Sequence, residues 1–123
     1  MVPRTVGRDW IAGDLTGGAQ AVLPLAAVAA VLPTAEQVGA HLEPAPGALT
    51  DRLGLPFVLR DLARRRRPVT LRLRSGTTTG TIDRVGKDHL DLAVHPVEEP
   101  RRAAAVSRIE VLALAELLLV RVD

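Results

Sequence analysis

Hydrophobic and polar residues alternate in several short runs of the second half of the chain. Residues 69–74 (VTLRLR) and 89–94 (HLDLAV) place an apolar residue at every second position, which is typical of a strand with one face on the core. Turn-forming residues bound these runs, Ser75 and Gly76 after the first and 86–88 before the second. Further strands are predicted over residues 77–85, 102–114 and 117–122.

One helix is predicted ahead of these strands, over residues 52–67. Its apolar residues recur at helical spacing, and its arginines crowd the C-terminal end, where the helix dipole favours cations. Pro56 suits the first turn, and Pro68 ends the helix. The alternation of the strands also predicts that Arg72 and Arg74 are exposed. The core predicted from the same alternation consists of Leu71, Leu73, Ile82, Leu90, Leu92 and Val111.

Two blocks of sequence occur twice in the same order. The stretch VGRDWI that begins at Val6 matches VGKDHL, which begins at Val85. The stretch VLPLAAVAAV from Val22 matches VLALAELLLV from Val111. The excess length of the second copy falls near a loop predicted over residues 95–102. Two matched blocks in one order indicate a structural unit that is written twice.

The second copy, with the helix ahead of it, is similar to a known family. A helix followed by five bent antiparallel strands, with G-x-I-x-x-V-G-x-D-x-L-x-L running through the second and third strands, resembles the Sm-like small β-barrel. The resemblance covers about residues 54–123 and extends to Sm-like proteins of high-GC Gram-positive bacteria, for which no activity is established. The residues that carry it are Val69, Leu71, Gly76, Gly80, Ile82, Val85, Gly86, Asp88, Leu90 and Leu92.

The resemblance implies a mainly β fold with short helices. It also implies that Gly80 marks the place where a strand bends sharply across the barrel core. Between the two copies, Thr34 opens a short helix with a capping box. The domains predicted are residues 1–33, a truncated barrel that keeps its last three strands; residues 34–53, a short helix to about Leu42 and a Pro/Gly linker over 43–48; and residues 54–123, the complete barrel with its leading helix.

The N-terminal copy lacks the elements that should precede it. Its strands are predicted over residues 10–15, 20–25 and 27–32, and half a barrel leaves strand edges and an apolar face uncovered. Three arrangements would resolve this: a longer natural protein of which this chain is a fragment or carries a misplaced start, packing against the complete barrel around Val58 and Leu62, or completion by another chain. We therefore expect self-association or a protein partner.

Composition narrows the class of protein. Hydrophobic residues make up 47% of the 123, enough for a core, and there is no cysteine, so disulfides, thiolate metal sites and a cysteine nucleophile are excluded. Residues 21–35 are apolar like the centre of a signal peptide, but Asp9 and Asp14 do not fit the basic head of one. Pro24 and the short length exclude a membrane-spanning helix, which needs about 20 apolar residues. We expect a cytoplasmic protein.

Arginine dominates the charge of the chain. It supplies 15 of the 16 basic residues, and residues 60–74 hold seven arginines against one aspartate. Phosphate binding is one interpretation, since each neutralised phosphate adds about 0.9 to the slope of log affinity against log salt on duplex DNA. The other is a solvated helix end whose arginines pair with Asp83, Asp91, Glu98 and Glu99. The first predicts a nucleic-acid site of Arg64, Arg65, Arg66, Arg67, Arg72, Arg74, Lys87 and His89.

The resemblance implies two RNA-binding turns, and the residues match only in part. The first falls on residues 86–89, where Asp88 and His89 are present but the usual Asn is absent. The second falls on Ala115 and Glu116, where a basic residue and a glycine are usual. Asp88 is also typical of a turn residue that caps its own backbone, and His89 of an outward side chain on a half-buried strand.

Two classes of function remain. The first is a non-catalytic interaction and assembly module of tandem Sm-like barrels, which self-associates or binds a protein partner. The second is RNA, DNA or ribonucleoprotein binding of weak sequence specificity through the basic face of residues 60–74. An enzyme is not expected, because the sequence has no nucleophile–base pair, metal-ligand set or phosphate loop, and no cofactor is predicted.

Overall fold

The computed structural model describes residues 1–39 and 52–123. In this part of the chain eight strands form one antiparallel, unclosed sheet in the order β1-β2-β3-β8-β4-β5-β6-β7. The helices are α1 (Ala35–Gly39) and α2 (Leu55–Arg64). The strands are β1 (Val2–Val6), β2 (Trp10–Asp14), β3 (Gln20–Pro24), β4 (Pro68–Leu73), β5 (Gly76–Val85), β6 (His89–Val94), β7 (Arg108–Ala113) and β8 (Leu117–Val122).

Strand β8 joins the two halves of the sheet. On one side it pairs with β3, where Val22 lies opposite Val120. On the other side it pairs with β4, where Val120 lies opposite Leu71. The N-terminal strands therefore continue the sheet of the second half.

The core lies between α2 and the inner face of this sheet. Five of the six residues predicted to be buried together belong to one buried cluster: Leu71, Leu73, Ile82, Leu90 and Leu92. Helix α2 adds Leu55 and Leu59 to that cluster. Arg72 and Arg74 are exposed, as the alternation of β4 predicts.

The prediction for Val111 is wrong. Val111 is 69% exposed, whereas Leu112 packs against the core. Leu112 lies opposite Leu90 and Val111 lies opposite Asp91. Successive side chains of a strand point to opposite faces. The prediction was out of step by one residue, so Val111 faces outward where Leu112 faces the core.

Helix α2 is shorter than predicted and carries the N-terminal block of strands on its first turn. The Oδ1 atom of Asp9 accepts a hydrogen bond from the backbone N–H of Leu55 at 2.7 Å. The indole N–H of Trp10 donates to the carbonyl of Leu53 at 2.8 Å. An aspartate at the positive end of a helix dipole is stabilising, so these contacts fix β1–β3 to the helix.

The N-terminal strands differ from the predicted set. Residues 27–32 do not form the predicted third strand; a 3-10 turn at Leu25–Ala27 is followed by chain without regular structure. A strand requires hydrogen-bonding partners on at least one side, and these residues have none in the described part of the chain. Conversely, β1 was not predicted, since Pro3 and polar residues obscure its alternation; it lies at a sheet edge, where proline is tolerated.

Other boundaries also shift. The capping box is confirmed, because Thr34 and Gln37 exchange two hydrogen bonds of 2.8 and 3.2 Å. The predicted helix end near Leu42 and the linker over 43–48 lie outside the described residues. The long strand predicted over 102–114 is confined to β7, because β6 offers only the six partners from His89 to Val94.

Gly80 lies where β5 passes close to β6. A Cβ atom at this position would overlap the backbone carbonyl of Ala93, which has no room to move without parting the strands. A glycine is therefore required by the close approach. Among the described helices, none is long and apolar enough to cross a membrane.

Candidate interaction surfaces

The arginines predicted to bind nucleic acid are all exposed, but they do not form one compact patch. Residues 64–67 lie at the C-terminal end of α2, and Arg74 lies beyond the far end of β4. Strand β4 spans roughly 17–20 Å at about 3.3 Å per residue, so this strand separates the two ends of the basic run.

One part of the outer face of the sheet brings two arginines together. Arg72 lies opposite Leu119, and Arg121 lies opposite Thr70, so cross-strand geometry places all four on one face. They line an open groove of about 380 Å³. Arg121 was not predicted as a site residue, although the sequence LLLVRV places it on the face opposite Val120 and Val122.

The helix end has an unusual backbone. Arg66 has φ +51°, the left-handed region that normally favours glycine. The N–H of Arg66 donates to the carbonyl of Ala63, and that of Arg67 donates to the carbonyl of Leu62. This is the Schellman arrangement that ends many helices, with an arginine at the position where glycine is usual.

Few of these arginines pair with acidic side chains. Arg65 bonds Asp61 at 2.9 Å, one turn earlier on the same helix. Asp83, one of the carboxylates expected to neutralise the arginine run, instead holds Arg101 at 2.7 Å. Within residues 1–39 and 52–123, no salt bridge involves Arg64, Arg66, Arg72 or Arg74.

Lys87 and His89 lie on a separate turn between β5 and β6. Lys87 is exposed, and the imidazole Nδ1 of His89 is 2.9 Å from the Asp88 carboxylate. This hydrogen bond lowers the pKa of Asp88 below its ordinary value. The pair stabilises the turn locally, and no arginine of the run joins it in a salt bridge in the described chain.

The exposed edge of the sheet at β7 is apolar. Ile109 is 52% exposed and Val111 is 69% exposed. Among residues 1–39 and 52–123, strand β7 pairs with β6 on one side only, so in this part of the chain the backbone groups of its other side have no sheet partner. An apolar edge with free backbone groups is a template for pairing with another chain.

The pairing geometry around β7 also occurs at the N-terminus. Strands β1, β2 and β3 form an antiparallel ladder in which Trp10 lies opposite Pro24. Strands β5, β6 and β7 form another, in which His89 lies opposite Ala113. These are the residues that coincide when the two repeated sequence blocks are aligned.

The turns of the two ladders also correspond. The N–H of Gly7 donates to the carbonyl of Trp10 at 2.9 Å, and the N–H of Gly86 donates to the carbonyl of His89 at 2.7 Å. In both turns the ring lies over the glycine, so that a Cβ there would overlap the ring. The expectation that Trp10 lies beside its turn as His89 does is confirmed.

A 3-10 turn follows the third strand of each ladder. Leu25–Ala27 comes after β3, and Leu114–Glu116 comes after β7. The first residue of each turn donates a backbone hydrogen bond of 2.8 Å, to the carbonyl of Asp9 in the first ladder and of Asp88 in the second. Beyond this point the ladders differ: β8 follows the second turn and irregular chain follows the first.

Corresponding residues of the two ladders differ in what covers them. Val22 on β3 is 5% exposed, because β8 pairs with β3 and α2 lies over it. Val111 takes the corresponding place in the sequence of β7 but points to the outer face, where it is 69% exposed. The exposed edge thus includes Val111, which the sequence assigned to the core.

Neither the arrangement of possible metal ligands nor comparison with known proteins indicates a further site. In the described ranges no group of three His, Asp or Glu side chains could hold a metal ion. Comparison with protein-family models finds no family that matches the chain, and comparison with curated proteins and with solved structures finds no similar protein.

Proposed function

We propose that the protein is a non-catalytic assembly module built from two Sm-like units, which self-associates through the edge strand β7. The first unit is the partial one within residues 1–33, and the second is the complete one within residues 54–123. The observation that carries the proposal is the apolar face of β7, with Ile109 and Val111 exposed. An edge strand with exposed apolar side chains and unpaired backbone groups favours addition of a strand from another chain.

The two-unit architecture is supported by the paired ladders. Their opposing residues, glycine turns and 3-10 turns correspond, as a duplicated unit requires. The Sm-like hypothesis draws on the order helix α2 and then five strands, with β8 returning beside β4. The close passage of β5 over β6 at Gly80 fits a strand that bends across a small core.

Replacing Val111 by lysine should weaken self-association at least about tenfold in Kd, because a charge would be carried into an apolar contact at a cost above 1.4 kcal/mol. Light scattering over a concentration series measures the effect. The fold should not change, since Val111 is exposed in the single chain.

The matched control is Phe57→Lys, which makes a similar change at an exposed apolar residue of α2, 46% exposed and away from the β7 edge. It should leave the association unchanged. A wild-type chain that stays monomeric throughout the series would contradict self-association, as would an association abolished by Phe57→Lys and untouched by Val111→Lys.

A second candidate function is weak binding of nucleic acid by the arginines. Two observations favour it: Arg72 and Arg121 share one groove, and Arg66 keeps a left-handed backbone that costs an arginine roughly 1–2 kcal/mol. A side chain retained at a strained position points to a use for it. Without stacking aromatics, binding should tolerate many sequences and fall steeply with salt.

Replacing Arg66 by glycine separates the two roles of that residue. We expect the free energy of unfolding to rise by about 1 kcal/mol, because glycine adopts this backbone without strain. We also expect retention of mixed-sequence RNA at low salt to fall. Denaturant unfolding and a gel-shift titration measure the two effects, with Arg66→Ala as the control that removes the charge and keeps the strain. RNA retention that is unchanged in both variants would count against the second candidate.

A further inference from the structure

Two stretches of the described chain carry exposed aliphatic residues without a structural reason within one molecule. One is β7, with Ile109 and Val111. The other is residues 28–33 (VAAVLP), here named the donor segment, in which Val31 is 72% and Leu32 is 92% exposed. The donor segment has no regular structure. Within the described residues its one backbone–backbone hydrogen bond is that from the N–H of Val28 to the carbonyl of Leu25 at 3.1 Å, so residues 29–33 have backbone groups that can pair.

The contact between β3 and β8 shows how two such stretches fit together. The two strands are antiparallel, with Val22 opposite Val120 and Gln20 opposite Val122. Val22 and Val120 are both buried there. This contact joins the third strand of one ladder to the strand that follows the 3-10 turn of the other.

The counterparts of these two strands are the stretches that lack a partner. Strand β7 is the third strand of the second ladder and corresponds to β3. The donor segment follows the 3-10 turn of the first ladder and corresponds to β8, with Val31 in the place of Val120. The chain therefore holds two pairs of corresponding strands: β3 and β8, which pair within the molecule, and β7 and the donor segment, which do not.

We infer that the donor segment of a second copy of this chain pairs antiparallel with β7, which rests on the proposed function and names the partner of that edge. The register follows from the β3–β8 contact: Val31 lies opposite Val111, Leu32 opposite Glu110, and Pro33 opposite Ile109. Pro33 comes at the end of the ladder, where the lost backbone donor interrupts no further pairing.

The contact is head-to-tail. Each chain offers one donor segment and one β7 edge. Two copies that exchange donor segments reciprocally close a two-fold dimer, whereas exchange without that reciprocity leaves a new edge and a new donor segment on every added copy and builds larger rings or open arrays. A β7-to-β7 contact would instead be isologous and would stop at two chains.

Disulfide trapping tests the register, because the chain has no cysteine of its own. A Val31→Cys variant is mixed with a Val111→Cys variant and oxidised. Opposed residues of an antiparallel pair have Cα atoms about 4.5–5.5 Å apart, within the range of a disulfide. We expect a cross-linked dimer of the two chains, at least about tenfold more abundant than the control mixture gives.

The control mixture combines Leu32→Cys with Val111→Cys. A shift of one position turns the thiol to the opposite face of the strand, and the cross-link should be lost. Each single variant oxidised alone should also give little dimer, because the inferred contact does not place Val31 beside Val31 or Val111 beside Val111.

The outcomes separate the inference from the proposed function. If Val111→Lys weakens association but Val111→Cys cross-links to itself and not to Val31→Cys, the β7 edge is used and the donor segment is not, which overturns the inference alone. A disulfide that forms within one chain of the Val31→Cys, Val111→Cys double variant, with none between mixed chains, overturns it as well. A monomer without any cross-link overturns both.

Discussion

Replacing Trp10 by alanine should lower the free energy of unfolding by about 3–5 kcal/mol, the range for truncating a buried tryptophan or phenylalanine. Trp10 is 5% exposed and belongs to the buried cluster. Its indole N–H also binds the carbonyl of Leu53 ahead of α2. The loss should be concentrated in β1–β3, which the tryptophan joins to the helix.

Hydrogen exchange and denaturant unfolding together measure this effect. In the alanine variant the amides of β2 and β3 should exchange faster, while those of β5 and β6 change less. Trp10→Phe is the control, because it keeps an apolar ring and loses the hydrogen bond. It should lower the free energy of unfolding by about 1 kcal/mol. Free exchange of residues 2–24 in the wild-type chain would contradict the docking of β1–β3 on α2.

Replacing Leu90 by alanine should lower the free energy of unfolding by about 2–5 kcal/mol. Leu90 is fully buried in the centre of the second half, between Val85 on β5 and Leu112 on β7. Its removal leaves a cavity that neighbouring strands, held by their own hydrogen bonds, fill only in part. Denaturant unfolding followed by circular dichroism measures the change.

The comparison with Val111→Ala tests the phase of β7. Val111 was expected to share the core with Leu90, whereas the structure places it on the outer face. At a concentration low enough to keep the chain dispersed, Val111→Ala should therefore change stability by less than about 0.5 kcal/mol. If Val111→Ala and Leu90→Ala lower the free energy of unfolding equally, Val111 faces the core as the sequence predicts. A loss below about 0.5 kcal/mol for Leu90→Ala would show a wrong register in β6.

The strands that the sequence predicts best are those whose packing leaves a periodic signal. β6 (His89–Val94) and β8 (Leu117–Val122) have the predicted bounds. In β6 every second side chain enters the core, so the alternation is visible. In β7, apolar residues lie on both faces, and the sequence cannot say which face is inward; the exposed face became visible only from the pairing with β6.

Strand formation at the N-terminus depends on partners more than on local sequence. β1 has little alternation and still forms, because β2 is available beside it. Residues 28–32 are rich in alanine and valine and remain irregular, since no described strand lies beside them. Propensity is a weak guide where a neighbour decides whether backbone hydrogen bonds can be made.

The sequence predicts that arginines are concentrated in residues 60–74, but it does not predict how they are arranged in space. The run in residues 60–74 is plain in the sequence, but the end of α2 and the end of β4 lie apart. The groove that joins Arg72 to Arg121 depends on β8 pairing with β4, a contact between residues far apart in the chain. The backbone of Arg66 gave no signal, because glycine would be the usual residue there.

The place of β8 in the sheet has a consequence for the order of synthesis. This strand is synthesised after β1–β7, yet it lies between β3 and β4 and is their common neighbour. Until it emerges, β1–β3 and β4–β7 have no ladder to join them, although domains otherwise begin to fold from the N-terminus as they are made. Until β8 forms, the two halves are therefore separate ladders linked through the contacts of Asp9 and Trp10 at the start of α2, and a chain that stops before Leu117 should not form the continuous sheet.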